Sequence, residues 1–160
     1  MGKSKDKTNV MRIFDSKGIH YEIHNYLSTG VVSGEEVTAV LGENPDAVFK
    51  TLVTVAPSKT NYVFLVPVSR ELDLKKAARS VGEKKIEMIK SKELLALTGY
   101  VHGGCSPVGM KKSFATTIDK SAENFETIMF SGGKIGFQVE LSLDELRKVI
   151  DFKLEDITNN

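Results

Sequence analysis

Residues 99–112 read Gly-Tyr-Val-His-Gly-Gly-Cys-Ser-Pro-Val-Gly-Met-Lys-Lys. The glycines there, Gly99, Gly103, Gly104 and Gly109, let the main chain turn sharply and let a ligand approach it closely. Pro107 stiffens the turn, Ser106 adds a hydroxyl, and Lys111 and Lys112 place positive charge at its exit. A second turn, Ser131-Gly132-Gly133-Lys134, has the same chemistry. A long surface turn would account for either one alone; together they point to a site made of main-chain donors. Lys50 stands inside an apolar run, after Ala47-Val48-Phe49 and before Leu52-Val53. An ammonium is costly to take out of water. Lys50 therefore either extends its head from a strand edge or meets an anion, and if desolvated it could act as a nucleophile or base.

The remaining reactive side chains make weaker cases. Cys105 with nearby His102 suggests a nucleophile pair, but no third residue orients the imidazole, and a lone cysteine after two glycines reads as packing. Ser106 and Ser131 have no activating base in view. Asp73 and Asp119 read as helix starts rather than acid/base groups. His20 and His24 sit on the outer side of an alternating strand pattern. Three histidines and one cysteine do not readily make a zinc site, and one cysteine excludes an intrachain disulfide. No Walker loop is present, so neither a metal nor a cofactor is expected.

The elements that must hold these groups can be read from periodicity. Helical spacing covers 8–17, stopped by Gly18, and an alternating strand follows over 19–24, with Ile19, Tyr21 and Ile23 on its inner face. Ser33 to Glu36 forms a capping box for a short helix closed by Gly42. Strands at 49–55 and 62–68 form a hairpin across 57–61. An amphipathic helix over 72–81, a short strand at 85–88 and a helix from about Ser91 lead into the first glycine turn. Strands near 115–118, 127–130 and 137–141 follow, and Ser142 to Glu145 opens a last helix reaching about Ile150. These 160 residues suit one domain with a proper core. The predicted fold class is α+β: a single domain, 1–160, with a curved, mixed and mainly antiparallel sheet flanked by helices. Net charge is +1, so any phosphate contact must come from local lysine pairs (75–76, 84–85, 90–92, 111–112). No apolar run approaches a membrane span, and no signal peptide is evident, so a cytoplasmic protein is expected.

Taken together and in order, these stretches resemble one family. Asn44-Pro45, Phe49-Lys50-Thr51-Leu52, Leu72-Asp73-Leu74-Lys75-Lys76, Gly99-Tyr100, Gly103-Gly104, Ser106-Pro107, Gly109, Lys111-Lys112 and Ser131-Gly132-Gly133-Lys134 look like the YbaK/EbsC family. Its members are free-standing editing proteins similar to the inserted editing domain of bacterial prolyl-tRNA synthetases. The Gly-Gly-x-Ser-Pro-x-Gly form of the first turn resembles the Cys-tRNA(Pro) deacylases more than the alanine-editing branch. The resemblance implies removal of cysteine from mischarged Cys-tRNA(Pro), with some activity on Cys-tRNA(Cys), beside prolyl-tRNA synthetase as partner. It also implies that the substrate's own thiol attacks the ester and leaves as a cyclic thiolactone, a hydrolase by outcome with a lyase-like step. Lys50 then matches the family lysine that engages the 3′-terminal adenosine and its phosphate, and Gly103 falls in the loop whose amides could stabilise an oxyanion. Tyr26, Thr51, Gly104, Ser106, Pro107, Ser131 and Gly133 fall at substrate-binding positions. Two such positions depart from the pattern: Ser33 where an aromatic is expected, and Gln138 where an aspartate is expected. The alternatives are a deacylase of the same fold acting on Ala-tRNA(Pro) or another mischarged tRNA, and a non-catalytic module that binds tRNA ends or a partner protein.

Overall fold

The computed structural model describes residues 7–31 and 34–159. Its elements in order are α1 (Asn9–Ser16), β1 (Glu22–Asn25), a 3-10 turn (Leu27–Thr29), α2 (Gly34–Leu41), β2 (Phe49–Val55), β3 (Asn61–Pro67), α3 (Leu74–Ser80), β4 (Glu87–Met88) and α4 (Ser91–Thr98). Then come β5 (Ala115–Asp119), a second 3-10 turn (Lys120–Asn124), β6 (Ile128–Ser131), β7 (Phe137–Leu141), α5 (Leu143–Arg147) and β8 (Lys153–Glu155). This is the expected α+β class. The strands divide into two sheets: antiparallel β1-β7-β6, and a mixed sheet in the order β4-β2-β3-β5-β8. A single bridge, Val48 to Met129, joins them. The last strand was not foreseen. Its three residues, Lys153 to Glu155, pair in parallel with β5 and are too few for a periodic signal.

β3 shows why the mixed sheet is central. Its side chains alternate between two cores, Val63 and Leu65 on one face and Phe64 and Val66 on the other, all at zero exposure. A strand buried on both faces reads as a continuous apolar run, and Tyr62 to Val66 is one. The larger core lies between the sheets. Phe49, Val53 and Ile118 meet Ile128, Phe130, Val139 and Leu141 there, closed by Val10, Met11 and Phe14 of α1. The smaller core packs Ala77 and Ala78 of α3 and Ile86 under the other face.

Local signals set several boundaries. Thr8 caps α1 by accepting the Met11 amide at 3.2 Å, and Asp73 caps α3 through the Lys75 and Lys76 amides. Asp119 accepts from Ser121 and Ile157, fixing the end of β5, so both aspartates are helix-start residues as expected. The Ser142 box forms only by half. Ser142 accepts the Glu145 amide at 3.2 Å, but the Glu145 carboxylate takes the His20 amide at 2.7 Å instead of closing back. The helix it opens ends at Arg147, short of the expected residue 150. The other expected box, at Ser33, lies outside the described residues. The strand expected over 19–24 begins only at Glu22, because the Ile19 amide folds back onto Phe14 O and the Tyr21 ring packs on Phe14 at 4.9 Å. Ile23, on the edge strand β1, stands opposite Val139 but is 47% exposed, so the expected inner face of this strand is not fully buried.

Candidate active site

The site is built on a gap in the mixed sheet. β4 pairs with β2 at Thr54 and Val55, and β6 forms its bridge to this edge at Val48, just before β2. Val53 O accepts the Ile89 amide and Ala47 O the Met129 amide. Strand alternation then turns the main-chain groups of Thr51, between those contacts, to the open side. A cavity of about 720 Å³ lies over this edge, within the roughly 300–1,000 Å³ of small-ligand sites. Because the edge itself is exposed, consecutive residues from Val48 to Val53 line it. The far walls are α2 (Glu35, Glu36, Val37), the β4–α4 elbow (Met88, Ile89, Ser91, Leu94), the first glycine turn (His102, Gly103, Cys105) and the polar face of the antiparallel sheet (Ser131, Gln138), with Tyr26 beside them.

Lys50, Gly103, Tyr26, Thr51, Ser131 and Gln138, all expected at the site, thus share one cavity. Tyr26 is 3% exposed and forms part of the cavity wall. Lys50 Nζ lies 3.4 Å from both carboxylate oxygens of Glu71. Glu71 is 72% exposed, so this pair is worth only ~0–1 kcal/mol and yields readily to a better anion. The Thr51 hydroxyl is buried and, among the described residues, has no hydrogen-bond partner. Such a group costs ~1–3 kcal/mol until something meets it. Ser131 Oγ accepts the Gly133 amide at 3.1 Å, which leaves its own hydrogen to donate.

Four expected positions lie off the cavity lining. Ser106 is fully buried, and its hydroxyl accepts the Val108 amide at 3.3 Å. Pro107 lines a separate depression with Val108, Phe114 and Phe152. Gly104 is where the two glycine turns touch: a Cβ there would sit 3.1 Å from Ile135 N. Gly133, at φ +94°, packs on Val10 and Tyr100. Ser33 lies outside the described residues. The expected cradle of amides is also smaller than foreseen. The Gly104 amide is spent on Val101 O, Gly132 on Phe137 O and Gly133 on Ser131. Among the described residues, the amides of the first turn that belong to cavity-lining residues and show no acceptor are those of His102, Gly103 and Cys105.

The electrostatics exclude one route. Burial pushes the Cys105 thiol up to about 12, against a smaller opposing hydrogen bond from Thr98, so it stays protonated and unreactive at neutral pH. Neighbouring Tyr100 is pushed to about 12 by burial and donates to Val108 O, serving the turn's architecture. Among the described residues, the group suited to share a metal ion is Glu22, His24 and Glu140, with ligand atoms within 4.8 Å. That group satisfies itself: His24 Nε2 sits 2.7 Å from Glu140 Oε1, and Thr127 donates to the other oxygen. Glu35 and Glu36, the β4–α4 elbow and the Thr51 main-chain edge were not anticipated as lining. Charged helix starts and two-residue strands carry no mark of what they face.

Comparison with known proteins agrees with this architecture. Residues 29–149 match the model of the aminoacyl-tRNA editing domain. A protein of Enterococcus faecalis (strain ATCC 700802 / V583) named "Putative Cys-tRNA(Pro)/Cys-tRNA(Cys) deacylase EbsC" is 40% identical over 157 residues, 98% of this chain and 96% of that one. A proline–tRNA ligase of Shouchella clausii (strain KSM-K16) is 32% identical over 77 residues, covering 48% of this chain and 13% of the ligase. A solved structure described as a "putative trans-editing enzyme for prolyl tRNA synthetase" superposes with TM-score 0.82 at 23% identity, over 96% of this chain and 99% of that one. Fold, sequence span and cavity-forming turns therefore converge: the chain belongs to the aminoacyl-tRNA editing domain family.

Proposed function

We propose that the chain is a trans-editing deacylase that frees cysteine from mischarged Cys-tRNA(Pro), and from Cys-tRNA(Cys), beside prolyl-tRNA synthetase. The observation that carries this reading is a cavity with a displaceable ammonium at its edge, beside the glycine turns of the editing-domain family. Cys105 is held as a neutral thiol, and Ser131 Oγ accepts the Gly133 amide. The family resemblance supplies the attacking atom, the substrate's own sulfur. It bonds to the ester carbonyl carbon, the bond to the ribose 3′ oxygen breaks, and the thiol proton passes to that oxygen. A four-membered thiolactone leaves, and water opens it later. Proline has no thiol to cyclise with, so correctly charged tRNA survives. Size alone could not achieve this, since one methylene distinguishes ligands by only ~1–3 kcal/mol.

In this scheme Lys50 exchanges Glu71 for the phosphate of the terminal adenosine. The Gly103 amide stabilises the developing oxyanion, and the Thr51 and Ser131 hydroxyls hold the ribose and ester. Lys50→Ala is expected to lower cysteine release at least ~100-fold, as for loss of a charged transition-state contact, with an unchanged melting temperature. The decisive experiment compares Cys-tRNA(Pro), its S-alkylated form and Ala-tRNA(Pro). Release from the first alone supports the thiol route; equal release from the alkylated substrate overturns it, and preferential alanine release overturns the assigned amino acid.

A further inference from the structure

Gln138 is 5% exposed, stands in β7 directly across from Ser131 and His24, and lines the cavity. Its side-chain amide lies against the Glu43 carboxylate; since a carboxylate only accepts, the amide is assigned with its nitrogen toward Glu43, which places that nitrogen 2.8 Å from one oxygen and 3.0 Å from the other. Glu43 is held there by the way α2 ends. Gly42, at φ +67°, closes a Schellman turn in which its amide meets Ala39 O at 3.3 Å and the Glu43 amide meets Thr38 O at 3.0 Å. Asn44 then locks the following turn through the Asp46 and Ala47 amides. The charged neighbours of Glu43 on the antiparallel sheet are His24 and Glu140, and these are bonded to each other. The Glu43 carboxylate is therefore directed to the Gln138 amide.

An amide offers a donor at one end and an acceptor at the other, and the two ends exchange when the group turns over. Resting on the deacylase reading above, we propose that Glu43 is a positioning residue: it clamps the Gln138 nitrogen so that the carbonyl is offered to the cavity as acceptor for the α-ammonium of the aminoacyl ester. The negative charge then stands one side chain behind the contact. A neutral carbonyl touches the substrate, and Glu43 both aims it and polarises it. Without Glu43 the amide can turn over and present N–H groups to an ammonium.

The test uses the full chain and two non-hydrolysable probes: 3′-amino-3′-deoxyadenosine acylated with cysteine, and its counterpart lacking the α-amino group. The wild type is expected to bind the ammonium-bearing probe about tenfold more tightly, the scale of one hydrogen bond to a charged group. Glu43→Gln should reduce that ratio to near one in a folded protein slightly more stable than the wild type near pH 7, and should raise KM for Cys-tRNA(Pro) with kcat little changed. Glu43→Gln combined with Gln138→Asp should restore the preference, because a carboxylate in the cavity needs no aiming. A preference retained by Glu43→Gln, or not restored by the folded double variant, overturns the proposal. Binding is read apart from turnover, so an inactive wild type that shows the preference would overturn the deacylase reading and leave this assignment standing.

Discussion

In the first glycine turn the Ser106 hydroxyl is fully buried and accepts the Val108 amide, while Tyr100 spans the loop to Val108 O. In the second turn the Ser131 hydroxyl takes the Gly133 amide in the same two-residue pattern, yet it lines the cavity. The residue types match and the local hydrogen bond matches; what differs is which side of the turn faces protein. The first turn wraps its hydroxyl inward and meets the cavity through His102, Gly103 and Cys105 instead. The second gives its serine side chain. Glycine and serine in series thus mark a shaped turn, and burial decides whether its hydroxyl is scaffold or contact.

Four measurements would break or sharpen that contrast. The largest effect is expected where the second turn leans on the core. A Cβ at Gly133 would lie 2.7 Å from Val10 Cγ2, at a backbone angle that side chains resist. Gly133→Ala should cost about 3 kcal/mol in urea unfolding, combining backbone strain with overpacking. Next come the two serines as a matched pair. Ser106→Ala should lose ~1–2 kcal/mol of stability by orphaning the buried Val108 amide, with unchanged deacylation per folded molecule. Ser131→Ala should do the reverse, lowering deacylation about tenfold with little change in melting temperature. Equal behaviour of the two would erase the distinction.

A smaller effect concerns Glu43, bonded to Gln138 on the strand that pairs with the second turn. Burial disfavours its charge and raises its pKa above the ordinary carboxylate range, outweighing an opposing pull from His24. The protonated form is therefore favoured by folding. That contribution is full below the unfolded pKa and is lost as pH rises through the folded one. Glu43→Gln should be slightly more stable than wild type near pH 7, and a melting series toward acid should show the gap closing. Least of all is expected from Cys105→Ser. A thiol held at about 12 does no chemistry, so activity should persist and alkylation of the wild type at pH 8 should be slow.

Much of the fold was legible because its signals are local. The continuous apolar run of β3, the caps at Asp73, Asp119 and Ser142, and the αL glycines at Gly18, Gly42 and Gly99 all mark boundaries within a few residues. The site was partly legible. Lys50 stood out as a cation in an apolar run, and the glycine turns as unusual backbone. Gly104, Ser106, Pro107 and Gly133 carry the same signature, but sequence could not show that they face protein. The Glu43–Gln138 contact joins residues far apart in the chain, and no spacing rule reaches across that separation.

The interruption between β4 and β6 has a further consequence. Thr51 turns its peptide groups outward there with no neighbouring strand, and such an edge is a template on which a second molecule can add its own strand. Lysine on an exposed edge is a common natural deterrent to that pairing. Lys50→Ala is therefore also expected to favour self-association, read by light scattering. The edge that lines the cavity is thus also one with which a copy of the molecule could pair.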